Sequence, residues 1–207
     1  KLEYVDVSTW DTSKVTDFSY TFQECIALEE LNIARWDTSS ATSMQSMFIE
    51  CSSLTSLDIS RWDVSKVENM RSIFNKMYKI TTLDLTRWNT ESLTNMENAF
   101  ANMTNLQYLD LENWNVSQVT NMNATFQSCR QLKDLRVSTW DTSSVIAVVN
   151  IFDNCIELEN IDVSKWDVSK ITNFTGMFSN CQTLEKIDLT NFSTTKATNM
   201  NYMFNNC

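Results

Sequence analysis

The chain has 207 residues and a net charge of −10, with one glycine, six cysteines and neither histidine nor proline. So acidic a composition argues against nucleic acid and anionic membrane surfaces as partners, because both select basic faces. Without histidine there is no Ser-His or Cys-His dyad and no histidine-ligated metal centre, a single glycine excludes phosphate-cradling loops, and no apolar run approaches the ~20 residues of a membrane span.

Tryptophan stands at Trp10, Trp36, Trp62, Trp88, Trp114, Trp140 and Trp166, with Phe192 in the eighth place, so a 26-residue unit is repeated eight times without insertion or deletion. Phenylalanine keeps the same phase from Phe22 to Phe204, and so does a leading aliphatic from Leu28 to Leu184. Such a period means a solenoid in which each coil packs mainly on its neighbours, and residues 1–207 read as a single repeat domain. With proline absent, Asn and Ser must form the tight corners, and Asn is the non-glycine residue best suited to positive φ.

Within one unit, taken at 54–79, the first element is a strand: inward Leu57 and Ile59 alternate with Asp58 and Ser60. The chain then bends near Ser60 and Arg61 to bring Trp62 inward. The second element reads as a short amphipathic helix, since Val67, Met70, Phe74 and Met77 are spaced 3, 4 and 3. Ser13 and its equivalents suit an N-cap, Ser65 with Glu68 would form a capping box, and Thr16 and its equivalents offer a second cap a turn later. From Ser13 to Cys25 such a helix is at most about 18 Å long and depends on stacking for its stability. The expected architecture is an α/β solenoid of eight coils, one short strand and one short helix in each.

The unit L-x-x-[LI]-D-[ILV]-[ST]-x-W-[DN]-[TV]-S-x-[VAI]-T-[NS]-[MF]-x-x-M-F-x-x-C, complete from Leu158 to Cys181, resembles the 26-residue repeat of bacterial surface proteins grouped with BspA-like leucine-rich repeats. The resemblance covers all eight units. It implies a leucine-rich-repeat-like right-handed superhelix carried on secreted or lipid-anchored surface proteins and linked with adhesion. Members often carry Gly before the Cys, where this chain has Glu24, Glu50, Lys76, Asn102, Ser128, Asn154, Asn180 and Asn206. The chain starts inside one repeat and stops at a repeat boundary, and is expected to be part of a longer surface protein with its signal or anchor outside this segment.

Two polar columns flank each Trp. Asp6, Asp58, Asp84, Asp110, Asp162 and Asp188 project from the strand, with Asn32 and Arg136 replacing Asp in two units. Carboxylates ~4.8 Å apart repel. Either neighbouring hydroxyls and bulk cations tolerate this ladder, or Asp58, Asp84 and Asp110 form a recognition face for a basic ligand or, more weakly, for Ca²⁺, a hard cation taking oxygen ligands. A second column, Asp11, Asp37, Asp63, Asn89, Asn115, Asp141 and Asp167, reads as Asx turns. Arg35, Arg61 and Arg87 hold the place before Trp in three successive units and form a basic strip beside the acidic one. It is either a binding edge or a set of ion pairs with the Asp columns and stacks on the indoles. In the sixth unit Ile146 and Val149 stand where other copies are mostly polar, which marks either an apolar interface or a local adjustment of the core.

Cys25, Cys51, Cys129, Cys155, Cys181 and Cys207 occupy one column whose gaps are filled by Met77 and Met103. Replacement by Met favours buried free thiols, while pairing of Cys25 with Cys51, Cys129 with Cys155 and Cys181 with Cys207 is the alternative in an oxidising compartment. No cofactor and no catalysis are expected. The chain reads as an extracellular or cell-surface module binding a host or neighbouring-cell protein or glycan, without inserting in the membrane itself; the rival reading is a spacer presenting another domain.

Overall fold

Leu57 and Ile59 point inward and are buried while Asp58 between them is exposed, and the same alternation holds in the other internal coils, with Asp110 half-buried in the fifth. The computed structural model describes residues 1–207 as a stack of coils around one hydrophobic cluster of 60 buried residues. Two regular strands form, β1 (Tyr108–Asp110) and β2 (Asp134–Arg136). They pair in parallel, Tyr108 opposite Asp134, Leu109 opposite Leu135 and Asp110 opposite Arg136. Single parallel bridges from Thr82 to Tyr108 and from Asp134 to Asn160 extend this pairing to the adjoining coils. A regular strand in every coil was expected, but the others stay extended without a ladder of their own.

The helix expected in the second half of each coil does not form. In the third coil the amides of Met70, Ser72, Phe74 and Lys76 donate to the carbonyls of Asn95, Glu97, Ala99 and Ala101 one coil on, at 2.8–3.0 Å. The intervening amides of Ile73, Asn75 and Met77 donate three residues back, to Met70, Ser72 and Phe74. Ser72 and Lys76 have φ of 55° and 64°, each at the third place of such a turn, as in a type II turn. Half the amides thus bond between coils, which an α-helix, bonded wholly within itself, could not do. An isolated helix of this length is marginal, so the path that ties coil to coil prevails. The apolar spacing of 3, 4 and 3 remains correct, because Val67, Met70, Phe74 and Met77 are all fully buried; the consecutive turns present the same inward stripe.

Two positions per coil require positive φ. Of the fifteen non-glycine residues that adopt it, six are Asn (Asn98, Asn102, Asn150, Asn154, Asn180 and Asn206), as corner-forming Asn would suggest, but Tyr20, Glu24, Glu50, Lys76 and Ala124 do so as well. The anticipated caps have other work. Ser65 is itself capped: its amide donates to Asp63 Oδ1 at 2.9 Å. Thr42, Thr94 and Thr198 donate their hydroxyls to the carbonyls of Thr16, Glu68 and Thr172 in the preceding coil.

The core is laid down in columns. Seven successive phenylalanine pairs from Phe22 to Phe204 stack with centroids 5.5–6.0 Å apart. From Trp36 to Trp166 the indoles are at most 5% exposed, while Trp10 is 57% exposed. Each buried indole N–H donates to a carbonyl 29 residues earlier, as Trp88 does to Ile59 at 3.0 Å. That carbonyl also accepts the backbone amide of Trp62 at 3.2 Å. One acceptor therefore serves the turn of its own coil and the side chain of the next, which fixes coil spacing as well as burial.

The cysteine column repeats this device. All six cysteines are free. The thiols of Cys51, Cys129, Cys155 and Cys181 donate to the carbonyls of Phe22, Phe100, Phe126 and Phe152 at 3.1–3.2 Å. Burial pushes the thiols of Cys51, Cys129 and Cys181 up to about 12 and that of Cys155 up as well. A protonated, buried thiol is a poor nucleophile. Iodoacetamide at pH 8 is therefore expected to modify exposed Cys207 and half-buried Cys25 in the native chain. The other four should react only in denaturant, and mass spectrometry would show whether an internal cysteine is alkylated first or is found disulfide-bonded.

Candidate binding face

The strand side of the solenoid is the less tightly bonded one. Between the third and fourth coils no backbone hydrogen bond joins 55–59 to 81–85. Leu57 and Leu83 retain 8% and 7% exposure there, whereas Leu109 under the paired β1 and β2 is fully covered. Unpaired strands stand apart, and the surface between them is grooved. All five hollows of the molecule open on this side. One of ≈330 Å³ lies between the third and fourth coils, with Ser56, Asp58, Thr82 and Asp84 at its walls. Another of ≈460 Å³ spans the fifth to seventh, walled by Glu112, Asp134, Arg136, Asn160 and Asp162.

The acidic ladder has a structural occupation. Asp58 Oδ1 accepts the Ser60 amide at 3.3 Å and hydroxyl at 2.9 Å, and Asp84 Oδ1 accepts the same pair from Thr86 at 3.2 and 2.7 Å. The Thr86 hydroxyl and then its amide hold the Asp84 carboxyl below the usual carboxylate range, with Arg87 contributing. Ser8, Ser164 and Thr190 do the same for Asp6, Asp162 and Asp188. Each of these carboxylates closes an Asx turn. Asp110 accepts the Glu112 amide at 3.1 Å and the Tyr108 hydroxyl at 3.2 Å. Asp58, Asp84 and Asp110 stand one to a coil, and no three carboxylates or thiols close on a common point.

The column after Trp is made of Asx turns: Asp11, Asp37, Asp63, Asn89, Asn115, Asp141 and Asp167 each cap the amide two residues on. A third such column was not anticipated. Asp17, Asn69, Asn95, Asn121, Asn173 and Asn199 do likewise at the start of the turn segment. The signal was present in the sequence as Asn two residues before a polar residue at a fixed phase, but it was absorbed into a helix.

Arg35, Arg61 and Arg87 are exposed, and none lies within 4.0 Å of a carboxylate. The only cation over an aromatic ring is Arg136, 5.4 Å from the Tyr108 centroid. Arg136 also reaches Asp110 at 3.7 Å and Asp134 at 3.6 Å. It thereby links the outer surfaces of β1 and β2, and the Ser138 hydroxyl adds a bond of 2.8 Å to Glu112. Arg136 was visible in the sequence as a break in the Asp column; its pairing across coils was not. On the opposite side of the coil, Ile146 is 57% exposed and Val149 half-buried.

No curated protein matches the chain. Among solved structures it is similar to a plant peptide hormone receptor, RGFR1 in complex with RGF2, at 12% identity and TM-score 0.43, covering 89% of this chain and 32% of that one. It is also similar to a leucine-rich repeat protein from Bacteroides ovatus, at 17% identity and TM-score 0.38, covering 90% and 58%. A leucine-rich repeat protein of Leptospira interrogans follows at 12% identity and TM-score 0.36, covering 81% and 50%. The chain thus spans between 32% and 58% of the length of these structures. The family described as "Mycoplasma protein of unknown function, DUF285" matches residues 1–108 and again 94–207.

Proposed function

The chain belongs to that DUF285 family, matched along its whole length, and we propose that it is a non-catalytic binding module that engages a protein or glycan at a cell surface through its strand face. The observation that carries this reading is the column of Arg35, Arg61 and Arg87: three exposed guanidiniums left without ion pairs in a chain of 26 acidic residues. Most cations of the chain are unpaired, the ion pairs being confined to Arg71, Lys76, Lys133 and Arg136; what sets these three apart is their recurrence at one place in three successive coils beside the acidic column. Arg61 follows Ser60 at the wall of the hollow that Asp58 and Asp84 line, and Arg87 bears on Asp84, so the two columns together offer both charges one coil apart. Carboxylates that recur in nearly every coil are a structural habit rather than one acid poised against one base, which supports the non-catalytic reading. The right-handed leucine-rich-repeat architecture and the kinship with BspA-like surface proteins belong to the same proposal, as does an extracellular location.

The rival role, a spacer presenting another domain, draws on the phenylalanine stack that runs without a gap from Phe22 to Phe204. An array of matrix proteins and glycans separates the two. We expect saturable binding that falls at least tenfold on changing Arg35, Arg61 and Arg87 to Gln, or Asp58, Asp84 and Asp110 to Asn. A silent array with well-folded protein would favour the spacer.

A further inference from the structure

The first two bonds of the turn-side ladder repeat at every junction between coils except one. Between the fifth and sixth coils Met122 N–H donates to Ala147 at 2.9 Å and Ile146 N–H to Thr120 at 3.0 Å; between the seventh and eighth, Phe174 N–H donates to Asn199 and Thr198 N–H to Thr172, both at 2.8 Å. Between the sixth and seventh the equivalent amides, those of Val148 and Thr172, have no partner, and the bridge from Ala147 to Asn173 that would continue the series is missing. The cause lies in the side chains. Asn121 and Asn173 cap the amides two residues on, but Ala147 has no oxygen to do so, and Val149 N–H takes Asn123 Oδ1 of the preceding coil instead, at 2.8 Å. Ile146 likewise replaces the threonine of this column and projects into solvent. Gly176, at φ +61°, sits across the same junction where a Cβ would meet Asn150 Oδ1. The core is undisturbed: Trp140 stacks on Trp166 at 5.8 Å and Phe152 on Phe178 at 5.5 Å.

We propose that the junction of the sixth and seventh coils is a joint in the solenoid, its turn edge opening while the aromatic stack acts as fulcrum. Across that fulcrum lies the hollow walled by 134–138 of the sixth coil and 160–162 of the seventh, so opening one edge narrows the other. The joint rests on hydrogen bonding and stands whether or not the strand face binds a ligand.

Amide hydrogen exchange at residue resolution tests it. A mere static gap would affect only Val148 and Thr172, so the informative amides are those still bonded across the junction: Asn150 to Thr175, Phe152 to Met177 and Asn154 to Ser179. A joint requires these to exchange at least tenfold faster than their counterparts Ala124, Phe126 and Ser128. Equal protection of the two sets overturns the proposal. The double substitution Ile146→Thr with Ala147→Asn is expected to bring the rates within about twofold of each other and to alter exchange of the Glu157 amide, which donates to Arg130 at 3.1 Å where the chain enters the two segments walling the hollow; slowing at 150–154 with no change at Glu157 would refute the coupling across the fulcrum.

Discussion

Replacing Trp88 by Ala is expected to destabilise the chain by about 3–5 kcal/mol, the range for emptying a large aromatic site in a packed core. Trp88 is 1% exposed, stacks on Trp114 at 5.8 Å and lies against Phe74 at 6.2 Å. Its removal opens a cavity between coils whose outlines are fixed by the columns on either side, so collapse is limited. The hydrogen bond adds less, because the Ile59 carbonyl keeps the Trp62 amide when the indole is lost. Trp10→Ala is the matched control: the same residue type with one stacked neighbour, Trp36, and more than half its surface in water. It should cost about 1 kcal/mol or less. Urea unfolding of both variants gives the comparison. Since coils are stabilised by their neighbours, the loss at Trp88 should also split or broaden the transition. Equal costs at the two positions would show that stacking between coils does not hold the array together.

Ala124 offers the second test, and there the sign matters as well as the size. Its φ is 52°, and its amide donates to Val149 in the next coil at 2.8 Å. Proline cannot adopt positive φ and has no N–H, so Ala124→Pro should cost about 3 kcal/mol or more. Proline would also break a helix, which makes glycine the discriminating substitution. In a helix interior Ala→Gly costs roughly 1 kcal/mol. At a left-handed position it relieves a penalty of roughly 1–2 kcal/mol, partly offset by the greater freedom of glycine in the unfolded chain. Ala124→Gly is therefore expected to stabilise the chain by about 0.5–1 kcal/mol. A loss of that size in thermal or urea unfolding would contradict the turn path and restore the helix.

Glutamate, lysine, tyrosine and alanine at positive φ give the turn segment no local mark in the sequence. A helix and a chain of turns can bury the same side chains at spacings of three and four, and Val67, Met70, Phe74 and Met77 fit both. Local propensity gave no warning, since Lys76 and Ala124 are good helix formers. What decides between the paths is whether amides are satisfied inside the segment or by the coil beside it, and that bond partner is about 25 residues away in sequence, as from Ser72 to Glu97. The candidate binding face divides in the same manner. The Asx role of the column after Trp was legible, because an Asx turn needs only residues two apart. The link made by Arg136 to Tyr108, Asp110 and Asp134 was not, because it depends on which residues face each other across coils.

The sequence by itself determined the period, the number of coils, the inward columns and the apolar character of the cysteine column, since all of these follow from phase and residue type. Only the tertiary structure decided that the second half of each coil is a run of turns, that extended segments pair regularly just at β1 and β2, that the arginine column is left unpaired, and that one junction lacks two of its ladder bonds. Each of those depends on the distance and direction of groups in the next coil, and a one-dimensional pattern carries neither.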